Sequence, residues 1–190
     1  MTRERRSLWL GIMVVAAAQI AVLGWMVWGR VHLLNSGREI VLDVIPVDPR
    51  SLFRGDYVIL NYDISRVKTP PGKKRVHRGS IMYATLQKTR DGKWKLLAAG
   101  PQRPESVDTD QVVLKGRVRY ASIRSRRGQG LANVRYGIES FFVPEGRGRE
   151  LEKLVGEKKL AALIAVDASG NAALKGLIVE GKRIYEEPLF

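Results

Sequence analysis

Apolar residues form one long run near the N-terminus and only short runs after it. The run Leu8 to Trp28 covers 21 positions without a charge. A helix of that length spans roughly 30 Å, the thickness of the hydrocarbon core of a bilayer. Trp9 lies near one end and Trp25 near the other, where indole rings favour the interface between lipid and water. The pattern therefore predicts a transmembrane helix within residues 1–30.

A cleaved signal peptide is the alternative interpretation of the same run. The chain begins with basic residues, and Ala16-Ala17-Ala18 would be a small-residue cleavage site. A cleaved signal turns polar soon after the cut, whereas apolar residues here continue for ten more positions. The length of the run therefore favours an uncleaved anchor.

The charges on the two sides of the run predict its direction in the membrane. Arg3, Arg5 and Arg6 precede it, and Arg30 and Arg38 follow it. The positive-inside rule then places the N-terminus in the cytoplasm and residues 31–190 outside it. In a bacterium with two membranes, that compartment is the periplasm.

Short alternating apolar runs, separated by turn residues, dominate residues 31–190 and predict a β-rich domain. The fold class is mainly β, or β-rich α+β, with the strands arranged as a barrel or a sandwich after the transmembrane helix. One short amphipathic helix is expected in the connector Arg149–Leu160. The predicted strands are Glu39–Pro46, Asp56–Ile64, Ser80–Lys88, Trp94–Ala98, Gln111–Tyr120, Ala132–Phe142, Ala161–Asp167 and Ala172–Glu180.

The first and second parts of the β-rich region resemble each other in sequence, which predicts two tandem repeats of about 75 residues. Ile40-Val41-Leu42-Asp43 resembles Val112-Val113-Leu114-Lys115 at an offset of 72. Leu60–Ile64 resembles Val134–Ile138 at an offset of 74. Repeat one would cover about 39–104 and repeat two about 111–181.

One motif in the first repeat carries a family resemblance. Residues 55–62 read Gly-Asp-Tyr-Val-Ile-Leu-Asn-Tyr, which resembles the bacterial family named after its GDYxxLxY motif. The resemblance covers nearly the whole chain. It implies a membrane-anchored protein of the bacterial inner membrane, often encoded beside multi-spanning membrane proteins, and it brings no reaction, catalytic residue or cofactor.

The motif has both a structural and a functional interpretation. As a structural signature, Gly55 and Asp56 form a turn before a strand whose buried face carries Val58, Leu60 and Tyr62. As a functional site, the polar residues of the turn Asp48–Asp63 would make the protein an envelope enzyme or a small-ligand binder that acts on envelope substrates. The residues of this candidate site are Asp48, Arg50, Arg54, Gly55, Asp56, Tyr57, Leu60, Tyr62 and Asp63, with second-repeat counterparts Tyr136, Glu139, Pro144 and Gly146.

The net positive charge of the chain indicates what kind of partner it binds and points to no reaction. The chain carries a formal charge of +14, and residues 31–190 retain 29 basic against 18 acidic side chains, a net +11. A domain tethered beside anionic lipid gains about 1 kcal/mol for each Lys or Arg that approaches it. We therefore expect membrane lipid or a multi-spanning membrane protein as partner, and the predicted export disfavours nucleic acid. The expected contact surface comprises two clusters of the sequence, Lys73, Lys74, Arg75 and Arg78, and then Arg124, Arg126 and Arg127, which follow Arg117 and Arg119.

Catalytic and metal chemistry find little support. The chain has no cysteine and two separated histidines, so neither a thiol nucleophile nor a metal site is predicted. A signal-peptidase-like Ser/Lys hydrolase would need Ser51 as nucleophile and Lys73 or Lys74 as base. Lys73 and Lys74 lie in a hydrophilic stretch where a desolvated amine is not expected. We therefore predict a protein that is not an enzyme and needs no cofactor.

Overall fold

The computed structural model describes residues 3–46, 57–69, 76–123, 130–142, 148–157 and 159–186. One long helix, α1 (Arg3–Ser36), is followed by a β-rich domain with a nearly closed, barrel-like sheet. This arrangement confirms the predicted fold class. The strands are β1 (Arg38–Asp43), β2 (Tyr57–Ile59), β3 (Arg66–Lys68), β4 (Ile81–Lys88), β5 (Trp94–Gly100), β6 (Gln111–Ile123), β7 (Gly130–Arg135), β8 (Ser140–Phe142), β9 (Leu160–Val166), β10 (Ala172–Val179) and β11 (Lys182–Glu186).

Helix α1 extends beyond the predicted span at both ends. Its segment Trp9–Asn35 is long and apolar enough to cross a membrane, and none of its most apolar window is buried in the protein. The last turn, by contrast, packs on the domain, because Leu33 and Leu34 are buried against Ala173 of β10. Gly37 alone separates α1 from β1. The helix is therefore joined to the domain without a linker.

Among the described residues, the strands form two larger sheets and one short ladder. Their orders are β1-β9-β10-β11, β3-β7-β6-β4-β5 and β2-β8, and every pairing is antiparallel. A single bridge between Ile45 and Asn61 connects the chain after β1 to the chain after β2.

The pairings of residues 38–100 have counterparts in those of residues 111–179. The set β1-β9-β10 corresponds to β6-β4-β5, and the pair β2-β8 corresponds to β7-β3. The bridge Ile45–Asn61 corresponds to the pair Arg117–Arg135, at offsets of 72 and 74. The pairs β1-β9, β6-β4, β2-β8 and β7-β3 each join a strand of one segment to a strand of the other, so the two segments are interleaved, whereas the hairpins β9-β10 and β4-β5 each pair within one segment.

Two predicted strands are wrong in extent. The strand predicted over Asp56–Ile64 ends at Ile59, because the chain turns in a short 3-10 helix, Asp63–Ser65, before β3. The strand predicted over Ala132–Phe142 is divided into β7 and β8 at Gly137, whose φ of +84° is the left-handed conformation that glycine tolerates best. Strands β3 and β11 were not predicted.

The core of the domain lies between the sheets and is continuous. It contains Ile40 and Leu42 of β1, Leu114 of β6 and Ile164 of β9, each at most 3% exposed. The connector helix α2 (Gly148–Gly156) adds Leu151 and Val155 to the same core. The predicted amphipathic helix is therefore present and covers the sheet with its apolar side.

Candidate functional site

Two buried tyrosines lie at the contact between residues 57–69 and residues 130–142. Tyr62 ends the GDYxxLxY motif, and Tyr136 is the residue 74 positions later. The Tyr62 hydroxyl donates to the Ile138 carbonyl at 2.8 Å, and the Tyr136 hydroxyl donates to the Ile64 carbonyl at 2.9 Å. Burial, and secondarily the negative charge of Glu139, raises the pKa of both phenols well above the usual value. They are therefore neutral hydrogen-bond donors at physiological pH.

Glu139 stabilises the turn that holds Tyr136. Its carboxylate accepts hydrogen bonds from the backbone N–H of Tyr136 at 2.6 Å and of Gly137 at 3.0 Å. The carbonyl of Glu139 accepts the N–H of Leu60 at 2.9 Å, which links this turn to the motif. Such charge-assisted bonds are among the stronger ones in proteins. The carboxylate is thus committed to the backbone of its own turn.

A cavity of about 570 Å³ opens beside Tyr62. It lies between the β2-β8 ladder and the strands β3, β7 and β6, and Tyr62 and Val134 form part of its wall. Several lining residues come in pairs separated by 74 positions, with one residue of each pair in each segment. These pairs are Ile59 and Asn133, Asn61 and Arg135, Ser65 and Glu139, and Arg66 and Ser140.

Three arginines make this cavity basic. Arg66 pairs with Asn133 across β3 and β7, and Arg135 lies two residues further along the same outward face of β7. Arg119 occupies a bulge in β6, where the register shifts between Val118 and Tyr120. Bulges commonly redirect a side chain at a functional site. Among the described residues, none of the three guanidinium groups makes an ion pair.

A second concavity, which we call the basic groove, adjoins the cavity through Arg119 and Arg135. Its volume is about 590 Å³. Of the described residues that line it, none is acidic. Its cations are Arg78, Lys115, Arg117, Arg119 and Arg135.

The end of the domain next to α1 carries its own charged contacts. The Arg38 guanidinium lies 5.1 Å from the centre of the Trp94 ring and donates to the carbonyl of Gln111 at 2.9 Å. Glu39 accepts from Lys175 at 2.7 Å and from Arg183 at 2.9 Å. The hydrogen bond from Lys175 is the main reason why the pKa of Glu39 lies below its usual value. These charges are paired, in contrast to those of the basic groove.

Part of the predicted site lies outside the described residues. These residues are Asp48, Arg50, Arg54, Gly55, Asp56, Pro144 and Gly146 of the candidate site, and Lys73, Lys74, Arg75, Arg124, Arg126 and Arg127 of the predicted surface. Ser51 of the hydrolase hypothesis also lies there.

The described members of the predicted site divide between core and surface. Leu60 and Tyr62 are buried, as the predicted alternation requires, and Tyr57 begins β2. Asp63 is exposed at the start of the 3-10 helix, and Arg78 lines the basic groove. The Tyr136 hydroxyl contacts Ile64, two residues after the motif, and the Glu139 carbonyl contacts Leu60 within it.

Sequence reasoning missed Ser65, Arg66, Asn133 and Arg135. The outward positions of β7 could have been found from its alternation, but their meeting with β3 depends on a strand that the sequence did not reveal. Among the described residues, no cluster of three or more His, Cys, Asp or Glu side chains could hold a metal ion.

The helix and the site define a class: a β-rich domain of interleaved strands, carried on one long apolar helix, with the GDYxxLxY motif at its centre. The family model of the GDYXXLXY proteins matches residues 19–177. The chain therefore belongs to this family, which confirms the resemblance. Searches of curated proteins and of solved structures found no match.

Proposed function

We propose that this chain is a non-enzymatic, single-pass membrane protein whose basic groove binds an acidic segment of a membrane-protein partner. The observation that carries the proposal is the basic groove itself, where five cations face solvent without an acidic neighbour among the described lining residues. Charges of one sign in a concave surface attract and orient a partner of the opposite sign.

The packing of α1 supports an uncleaved anchor. The helix continues without a break through Ala16-Ala17-Ala18, and its last turn is buried on β10 through Leu33 and Leu34. Cleavage after Ala18 would leave a docked helix that still exposes an apolar segment to water, which is costly. With the positive-inside rule, this anchor supports the proposal that the domain lies outside the cytoplasm, on the periplasmic face of the inner membrane in a two-membrane bacterium.

The shape of the basic groove favours a protein over lipid. A leaflet surface is flat, whereas these cations line a concavity whose wall includes the buried Gly116 and Val118. An acidic protein segment can enter such a groove. The half-exposed Ile81 in the same groove offers an apolar contact as well. Binding of the anionic lipid surface is the competing outcome.

Crosslinking in cells tests this proposal. A photoreactive amino acid at Ile81, inside the basic groove, is compared with one at the exposed Leu97, outside it. The triple change Arg78→Glu, Lys115→Glu and Arg117→Glu is compared with an equal charge change at exposed sites outside the groove, Lys88→Glu, Arg90→Glu and Lys95→Glu.

We expect a membrane protein to crosslink at Ile81 and to co-purify from detergent-solubilised membranes, and we expect both signals to disappear only with the groove variant. Crosslinks to lipid alone, together with binding to anionic vesicles, would replace the partner with the lipid surface. No crosslink and no vesicle binding would refute both. For topology, a C-terminal phosphatase fusion that stays inactive in cells would contradict the proposed orientation.

We also infer that the two segments are copies of one unit. An offset of 74 relates the two tyrosine hydrogen bonds, four residue pairs of the cavity and the strand pairs β2-β8 and β7-β3, while β1 and β6 correspond at an offset of 72. Closure of a barrel by two such copies would leave few exposed strand edges.

The small-ligand alternative to partner binding is favoured by a specific observation, the cavity lined by Asn61 and Tyr62.

A further inference from the structure

We propose that the cavity between the β2-β8 ladder and β3, β7 and β6 is a binding site for a phosphate ester. Three arginines from three different strands line it, and Arg66, Arg119 and Arg135 are all exposed to solvent. The planar guanidinium group binds phosphate oxygens in pairs, which gives both affinity and direction. Arg119 and Arg135 line both this cavity and the basic groove, whereas Arg66 and Ser65 line the cavity alone, so these two residues distinguish this site from partner binding.

The charge balance of the cavity favours a dianion or monoanion. Glu139 is the acidic side chain among its described lining residues, and both of its oxygens already accept backbone N–H groups. Among the described residues, the three guanidinium groups make neither an ion pair nor a side-chain hydrogen bond. Three positive charges therefore face the cavity against one negative charge that is directed to its own turn.

An orphaned hydroxyl lies in the same cavity. Ser65 is 6% exposed and lines the cavity, and its Oγ has no hydrogen-bond partner among the described residues. Buried hydroxyls without partners are uncommon, because each loses its bonds to water. A phosphate oxygen would accept a hydrogen bond from this hydroxyl and so supply its missing partner.

The rest of the cavity fits the organic part of an ester. A volume of about 570 Å³ exceeds what a phosphate group alone requires and falls in the range of small-molecule sites. Ile45 and Ile59 supply an apolar wall, and Tyr120, 57% exposed, supplies an aromatic edge. Asn61 and Asn133 add amide donors. The ester could be a free metabolite or the headgroup of a phospholipid, since both present the same group.

Calorimetric titration of the full chain in a maltoside detergent tests the site. The probes are inorganic phosphate and glycerol phosphate, and the variants are Arg66→Ala and Ser65→Ala. Arg78→Ala is the matched control, because Arg78 is a cation of the basic groove outside the cavity. The thermal unfolding of each variant confirms that it is folded.

We expect saturable binding of glycerol phosphate that is tighter than that of phosphate. Arg66→Ala should raise the dissociation constant by about tenfold or more, as expected for a lost charge-assisted contact. Ser65→Ala should raise it by a few-fold, and Arg78→Ala should leave it unchanged. If micelles that contain phosphatidylglycerol compete with glycerol phosphate, the natural ligand is a lipid headgroup. If they do not compete, the natural ligand is a soluble ester.

Two results would overturn the proposal. One is the absence of saturable binding of either probe by the folded chain. The other is an equal loss in Arg66→Ala and Arg78→Ala, which would mean that only the general positive charge attracts the anion. Neither result bears on crosslinking at Ile81, so the failure of this site and the failure of partner binding are distinguishable.

Discussion

Tyr62 and Tyr136 each donate a hydrogen bond to the carbonyl that lies two residues beyond the other tyrosine. The acceptors are Ile138 at 2.8 Å and Ile64 at 2.9 Å. The last tyrosine of the GDYxxLxY motif is thus half of a reciprocal pair that ties residues 57–69 to residues 130–142. Its primary role is to hold the two segments together.

Removal of either hydroxyl should weaken the fold by a similar amount. Tyr62→Phe and Tyr136→Phe each leave a carbonyl without its donor, and we expect each to lower the free energy of unfolding by about 1–3 kcal/mol. Chemical denaturation of the detergent-solubilised chain measures this effect. Tyr120→Phe is the control, since its side chain is exposed and its change should stay within about 0.5 kcal/mol. Strongly unequal effects would contradict the equivalence of the two tyrosines.

Stability should fall at high pH through the same residues. The folded-state pKa of Tyr62 and Tyr136 is raised above the ordinary value of 10.0. Their contribution is therefore complete below about pH 10 and is lost as pH rises through the folded-state pKa. Between the unfolded-state and the folded-state pKa, each tyrosine is protonated only in the folded chain. Over that pH range, each should reduce the free energy of unfolding by about 1.4 kcal/mol per pH unit.

The double variant Tyr62→Phe and Tyr136→Phe isolates this dependence. Lysines and other groups also titrate in this range, so the quantity to compare is the difference in slope between the double variant and the unchanged chain. Absorbance of tyrosinate should show that two tyrosines ionise only on unfolding. Equal slopes in the two proteins would refute the assignment.

Gly116 should not tolerate a side chain. A Cβ at this position of β6 would overlap the Val134 side chain and would lie 2.8 Å from both the Arg135 carbonyl oxygen and a ring carbon of Tyr136. We expect Gly116→Ala to lower the free energy of unfolding by about 1–3 kcal/mol. Gly156→Ala, where a Cβ meets nothing within 4 Å, is the control and should be neutral or stabilising. Comparable melting temperatures for the two variants would contradict the packing described.

The junction of helix and domain makes a further prediction. A Cβ at Gly37 would lie 2.5 Å from the Leu33 carbonyl and 3.0 Å from both Ala165 Cβ and Val166 N. Gly37→Ala should therefore displace the last turn of α1 from the sheet and speed amide hydrogen exchange over residues 33–38. Gly29→Ala is the control, because a Cβ at Gly29 meets nothing within 4 Å. Amide exchange over residues 33–38 should be unchanged in that variant. Unaltered exchange in Gly37→Ala would show that the junction is not tightly packed.

The sequence allowed the architecture to be predicted better than the site. Long runs identify their elements by themselves, since the length of the uncharged run Leu8–Trp28 predicts a helix and the alternation over Gln111–Tyr120 predicts a strand. Short strands do not: β3, of three residues, follows a 3-10 helix, and its role depends on pairing with β7. The three arginines of the cavity are separated in sequence. The bulge in β6 and the registers of β3 and β6 against β7 bring Arg66, Arg119 and Arg135 together. No local pattern encodes that meeting.

The direct joint between α1 and β1 makes the bilayer part of the protein's geometry. The uncharged run Leu8–Trp28, about 30 Å of helix, matches a hydrocarbon core of about 30 Å, and the helix continues unbroken to Ser36. Transmembrane helices are tilted by about 20° on average, and the tilt grows in a thinner bilayer. Because Gly37 is the whole connection, the domain must lean with the helix. For a helix that crosses a bilayer, membrane thickness would then set the direction in which the arginines face.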